Sequence, residues 1–171
     1  MTTMNMLVCQ QPEQLIWKIR EVPLPGDDEA LIKIKTVGIC GTDIHAWGGH
    51  QPYFSYPRVL GHEICGEIVG LGKNIQYLKN GQQVSVIPYV ACRKCPACRS
   101  GRTNCCENIS VIGVHQDGGF AEYLVGPVAN LLAADGIDPE AAALIEPFAI
   151  SAHAVRRAAI SQGDQLLVVG A

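Results

Sequence analysis

The sequence predicts a mainly β chain: an antiparallel barrel carrying a cysteine-rich lobe, then a helix that runs into the first strand of an α/β unit. Three observations predict this. Short runs alternating apolar and polar residues recur between Gly- and Pro-containing turns, five cysteines fall within Cys92–Cys106, and the texture turns helical near Asp135. The chain has 171 residues, of which 48% are apolar and 17% charged. A domain of that size buries roughly two-thirds of its unfolded surface, so neither a disulfide mini-protein nor a disordered tail fits.

The elements follow in order. Leu15–Arg20 alternates Leu, Trp and Ile with charged residues, and Ala30–Val37 places its lysines on one side, so both read as half-buried strands. Pro23–Asp28 between them has turn composition. Glu63–Val69, Gln83–Ile87 and Phe120–Val125 read as further short strands, separated by Gly70–Gly72, Asn80-Gly81 and Asp117-Gly118-Gly119. Asp138-Pro139-Glu140 is a helix start: Asp caps, Pro suits the first turn, and Glu faces the positive end of the helix dipole. A helix over Ala141–Ala159 follows, with Pro147 expected to kink it or to start a second helix. Gly163-Asp164 then leads into a predicted strand, Gln165–Val169. The expected division is residues 1–135 for the barrel and 136–171 for the linking helix and first strand of the next unit.

Composition narrows the function classes. A net charge of −3 and a pI near 5.9 argue against a general polyanion binder, because nucleic-acid affinity rests on Lys and Arg neutralising phosphates. No apolar run approaches a membrane span, and Met1–Gln10 lacks a basic segment followed by an apolar core. The expectation is a cytoplasmic chain that binds neither nucleic acid nor membrane.

In a reducing compartment, clustered cysteines point to metal rather than disulfides. Cys92, Cys95 and Cys98 are spaced C-x2-C-x2-C, and Cys106 follows after seven residues. Zinc takes four thiolates tetrahedrally, and four protein ligands leave no position for substrate, so such a site is structural. Cys105 competes with Cys106, and spacing does not choose between them. An iron–sulfur cluster is the rival occupant. Arg93, Lys94, Arg99 and Arg102 make the lobe basic, which screens a dianionic tetrathiolate centre; a zinc-ribbon module is the weaker alternative.

A second constellation lies outside the lobe. Cys40-Gly-Thr-Asp-x-His45 holds a thiol, a hydroxyl, a carboxylate and an imidazole within six residues, and Gly61-His-Glu63 and Glu146-Pro147 follow downstream. Singly, each has a bland explanation, such as a buried small Cys40 or a satisfied His62. Together, Cys40-Gly-Thr-Asp-x-His45, Gly61-His-Glu-x-x-Gly66-x5-Gly72-x2-Ile75 and the four-cysteine lobe resemble the zinc-containing medium-chain alcohol dehydrogenases. The resemblance covers the whole chain and implies their N-terminal GroES-like catalytic domain. The run Ala142-Ala-Leu-Ile-Glu-Pro-Phe148 resembles the polyol and sugar-acid branch of sorbitol, threonine and idonate dehydrogenases.

That resemblance implies a catalytic zinc bound by Cys40 and His62, with Glu63 and Glu146 as directly bound or water-linked carboxylates. Members of the branch differ over which glutamate touches the metal. It also implies Asp43 orienting the His62 ring, with Thr42 and His45 relaying a proton from the substrate hydroxyl toward solvent. With the lobe, that makes two zinc ions per chain. The implied reaction is oxidation of a secondary alcohol of a polyol or sugar acid, with hydride passing to NAD or NADP. The dinucleotide fold of these enzymes opens with a strand entering Gly-x-Gly-x-x-Gly. Here Val168-Val-Gly170-Ala171 supplies the strand and one cofactor-binding glycine, Gly170. The expectation is a truncated chain that binds zinc without turnover, and a homo-oligomer at full length. Two rivals stand: a non-enzymatic zinc-binding GroES-like module, and a zinc-dependent aldehyde or formaldehyde dehydrogenase.

The remaining candidates have plainer readings. Cys9 and Cys65 read as packing residues and His153 as structural. His115 is a weak candidate for a cleft wall, Trp47, Tyr53 and Phe54 for a pocket wall, and Arg58 for a substrate carboxylate.

Overall fold

The computed structural model describes residues 2–169. Three antiparallel sheets are built from ten strands: β1 (Thr3–Gln11), β2 (Gln14–Glu21), β3 (Glu29–Gly38), β4 (Arg58–Val59), β5 (Glu63–Leu71), β6 (Gln83–Val86), β7 (Tyr89–Val90), β8 (Ser110–Val111), β9 (Tyr123–Pro127) and β10 (Leu131–Ala133). The helices are α1 (Gly41–Trp47), α2 (Pro96–Arg99), α3 (Pro139–Ala143) and α4 (Ile145–Ala158).

The principal sheet has the order β10-β6-β5-β3-β9, and a second runs β2-β1-β4. The segment before β9 fastens the two together. Leu7 N–H donates to Phe120 O at 2.7 Å, Glu122 N–H to Asn5 O at 3.1 Å, and Ile34 N–H to Glu122 O at 2.9 Å. This is why β9 begins at Tyr123 rather than at the expected Phe120: the preceding residues are committed to bridging the sheets. The small β7-β8 pair stands apart and carries the cysteine lobe between its strands.

Ile32, Ile64, Ile68, Val84 and Val86 are fully buried and form the main core with Ala30, Ile112 and Leu124. They come from alternate positions of β3, β5 and β6, so the two-residue period of a strand directs them to one face. Cys9 and Cys65 are also fully buried, and burial pushes both thiols up, consistent with inert packing residues. β2 forms where expected, but Trp17 and Ile19 are 73% and 72% exposed rather than half-buried. β2 is an edge strand, and Leu15 and Trp17 line an open apolar groove of about 540 Å³ with Ile39, Ile44 and Trp47.

Asp138 caps α3 as expected, its carboxylate accepting from Glu140 N–H at 2.9 Å. Ala142 and Ala143 bury that helix against Cys65 and Ala134 on the principal sheet. Pro147 falls in the first turn of α4, where its missing N–H has no intrahelical partner to lose, so it marks a second helix. One expectation fails beyond this point. Gln165–Val169 is not a strand, and Leu167 and Val169 are 88% and 86% exposed. A strand needs a neighbour to satisfy its backbone, and the described residues provide none there. Gly170, the expected cofactor-binding glycine, lies outside the described residues. No helix among the described residues is long and apolar enough to cross a membrane.

Candidate metal centres

The ligand-bearing segment around Cys40 is placed by the end of β3 and the start of α1. Cys40 is the N-cap of that helix, in extended conformation. β3 pairs antiparallel with β5, and the register sets Gly38 opposite Glu63. That pairing carries Cys40 to within reach of His62 and Glu63, more than twenty positions away. One donor atom from each of Cys40, His62 and Glu63 lies within 4.8 Å of the others. His62 and Glu63 are buried and Cys40 is half-buried. Two glycines make this possible. Gly61 has φ +89°, a conformation that L side chains avoid, and a Cβ there would meet Phe120 Cδ1 at 2.7 Å. At Gly38 a Cβ would overlap the Glu63 carboxylate.

Asp43 is 3% exposed and ties the two segments together. Its Oδ2 accepts from Cys40 N–H at 2.9 Å and its Oδ1 from Gly61 N–H at 3.0 Å. The same Oδ1 lies 3.7 Å from His62 Nδ1, which is buried without another partner. A buried imidazole whose Nδ1 faces a carboxylate leaves Nε2 for a metal, the usual carboxylate–histidine–metal arrangement. Burial alone would push the His62 imidazolium down, but the Asp43 carboxylate and then the Cys40 sulfur outweigh it and raise His62 to about 9. Thr42 is half-buried and His45 exposed, one turn apart on α1, so an inward and an outward group share one helix face.

Glu146 is buried in the first turn of α4 and lies outside the three-residue donor set. Its Oε1 accepts from the Tyr89 hydroxyl at 2.6 Å. Burial first, then Glu146, then the charges of Cys40 and Glu63 push the Tyr89 phenol up. Tyr89 was not singled out in the sequence, where it sits in a two-residue strand with no periodic signal. Tyr89 and Glu146 line a cleft of about 740 Å³ with Arg93 and His153.

The second centre is the lobe. Cys92, Cys95, Cys98 and Cys106 bring their sulfurs within 4.8 Å of one another. Thiolates about 2.3 Å from a tetrahedral ion lie about 3.8 Å apart, so the set fits. Of the two adjacent cysteines, Cys106 is buried and joins this group, whereas Cys105 is exposed in a 3-10 turn. Cys106 Sγ accepts N–H bonds from Cys92 at 3.3 Å and Asn108 at 3.4 Å. Backbone N–H groups of Lys94 and Cys95 hold Cys92 down at about 6, whereas burial and neighbouring sulfurs push Cys98 up to about 12.

Other candidates fall elsewhere. His115 Nδ1 accepts from Val111 N–H at 3.0 Å and shapes its own turn. Arg58 donates from Nη2 to Ser55 Oγ at 3.1 Å, and its Nη1 lies 3.6 Å from Asp117 Oδ1. Phe54 packs on Cys9, Ala46 and Leu60 and meets Tyr56 edge-on at 4.8 Å. Tyr53 is 77% exposed.

Comparison with known proteins places this geometry. The model of the alcohol dehydrogenase GroES-like domain matches residues 26–136. The chain belongs to the GroES-like alcohol dehydrogenase family. Its barrel is the GroES-like fold of that family's catalytic domain. It is 82% identical over 171 residues to an L-galactonate-5-dehydrogenase of Escherichia coli K12, covering 100% of this chain and 50% of that protein. Among solved structures, a short-chain alcohol dehydrogenase (rspB) of E. coli CFT073 complexed with NADH superposes with a TM-score of 0.89 at 38% identity, covering 95% of this chain and 48% of that one. Galactitol-1-phosphate dehydrogenase of E. coli gives 0.81 at 32%, covering 91% and 45%. The chain thus spans about half the length of the relatives that it matches.

Proposed function

We propose that this chain is the metal-binding part of a zinc-dependent dehydrogenase that oxidises a secondary alcohol of a polyol or sugar acid, with NAD or NADP as hydride acceptor. The convergence of Cys40, His62 and Glu63, with Asp43 behind His62, carries the reading. A purely structural module needs only the four-cysteine lobe; a second donor set of thiolate, imidazole and carboxylate is what a catalytic metal uses, with one position left open. The substrate class follows from the relatives, and L-galactonate is the first compound to test because the relative at 82% identity is named for it. Residues 1–135 would form the catalytic barrel, and 136–171 would lead toward a dinucleotide-binding unit.

Zinc at the Cys40 centre would act as a Lewis acid that lowers the pKa of a substrate hydroxyl. The chain's own groups do the rest. Asp43 fixes the His62 ring and keeps Cys40 and Gly61 in register. Thr42 Oγ1 accepts the proton leaving the hydroxyl, and exposed His45 passes it to solvent. The lobe centre has all four donors supplied by cysteine and serves the fold.

The test is an assay of the enzyme at the length of its relatives, with hexonates and polyols and with both cofactors. NAD(P)-linked oxidation of L-galactonate, abolished by Cys40→Ser, is expected. Retention of that activity in Cys40→Ser contradicts the assignment of the centre. The 171 residues alone, which contain no complete Gly-x-Gly-x-x-Gly, are expected to bind metal without turnover.

A further inference from the structure

The cleft of about 740 Å³ carries one charged side chain that is a ligand in neither donor set. Arg93 stands between Cys92 and Cys95 of the lobe and lines that cleft with Ile87, Tyr89, Glu146 and His153. Its backbone has φ +60°, in the left-handed region that L side chains avoid and glycine enters freely. A strained residue that is not glycine points to a task for its side chain. Other cations of the chain have acidic neighbours: Arg20 and Arg58 face Asp117, Lys35 faces Glu67, and Lys73 faces Asp27. Arg93 has no carboxylate partner among the described residues. Glu146, the acid of the same cleft, accepts instead from the Tyr89 hydroxyl at 2.6 Å. The cleft therefore keeps an uncompensated guanidinium, a group that stays charged at any working pH.

Sheet register sets this cleft beside the proposed catalytic centre. Val86 lines the cleft, pairs with Ile64 across β5 and β6, and Ile64 directly follows Glu63. In a sugar acid, the carboxylate and the hydroxyl being oxidised sit on different carbons. The carboxylate thus needs an anchor of its own away from the metal, and a guanidinium can grip both of its oxygens at once. We propose that Arg93 is a specificity-determining residue that receives the substrate carboxylate, so that the cleft prefers a sugar acid to an uncharged analogue of the same length. This rests on the dehydrogenase reading above and adds the group that recognises the acid end of the substrate.

The enzyme at the length of its relatives tests it, with L-galactonate and with L-galactonamide, which keeps every hydroxyl but carries no charge. Arg93→Gly removes the cation and suits the left-handed turn, so its thermal midpoint should not fall. In that variant KM for L-galactonate is expected to rise about tenfold or more, the worth of a hydrogen bond to a charged group, with kcat nearly unchanged. KM for the amide is expected to stay as it was. Arg93→Lys should recover part of the preference for the acid, because it restores a point charge without the fork. Arg93→Gly that keeps the full preference for acid over amide overturns the role of Arg93 while leaving the dehydrogenase reading intact. Equal KM for acid and amide in the unsubstituted enzyme overturns it in the same way, as does oxidation of polyols alone. An enzyme that oxidises no hexonate, amide or polyol overturns the dehydrogenase reading itself.

Discussion

Asp43 commits both carboxylate oxygens to backbone N–H groups on opposite sides of the site, at Cys40 and Gly61. Removing it strands two buried donors, and each unsatisfied group costs about 1–3 kcal/mol. Asp43→Ala is therefore expected to lower stability by at least that amount in urea denaturation; a loss below about 0.5 kcal/mol would mean that water replaces the carboxylate freely. The same carboxylate sets the pH behaviour of His62. With His62 raised to about 9 in the folded metal-free chain, its protonated form contributes stability that is fully present below the ordinary imidazole value of about 6.5 and is lost as pH rises through 9. A metal must displace that proton. Zinc affinity at the Cys40 centre should fall as pH drops below 9, and binding at pH 7 should release a proton from His62. Calorimetric titration in buffers of different ionisation enthalpy measures this, and pH-independent affinity between 6 and 8 would contradict it.

At the scale of elements, the lobe was readable in the sequence because its four donors lie within fifteen positions, close enough for one loop to wrap an ion. What spacing left open was the choice between Cys105 and Cys106, which depends on how a 3-10 turn presents two adjacent side chains. Cys106→Ser should abolish the cobalt–thiolate absorbance of a four-sulfur centre, while Cys105→Ser leaves it intact; the reverse pattern would overturn the assignment. The Cys40 centre was legible only through family resemblance. No local pattern reveals that β3 and β5 pair with Gly38 opposite Glu63. The Tyr89–Glu146 bond had no sequence signal at all, since a two-residue strand has no period. The start of α3 was legible from Asp138-Pro139, and Asp138→Ala should cost about 1 kcal/mol, the usual worth of such a cap. The strand expected at Gln165–Val169 failed for a different reason: apolar composition marks a segment fit for a sheet, but pairing requires a neighbour.

Across the whole molecule, one barrel holds two sites with opposite demands. The lobe brings four cysteines from a single loop together, a set that would close around one ion. The other centre gathers three different donor types from a strand end and a helix cap, backed by a carboxylate that fixes the imidazole. Removing metal should affect them differently: the lobe holds its own loop together, whereas the barrel core of Ile32, Ile64, Ile68, Val84 and Val86 does not depend on either ion. We expect two separate metal centres in one chain. Zinc content per folded chain, measured by elemental analysis before and after Cys40→Ser, tests it most directly. Two zinc ions are expected to fall to one, with the four-sulfur centre retained. A single zinc ion in the unsubstituted chain, unaffected by Cys40→Ser, would contradict it.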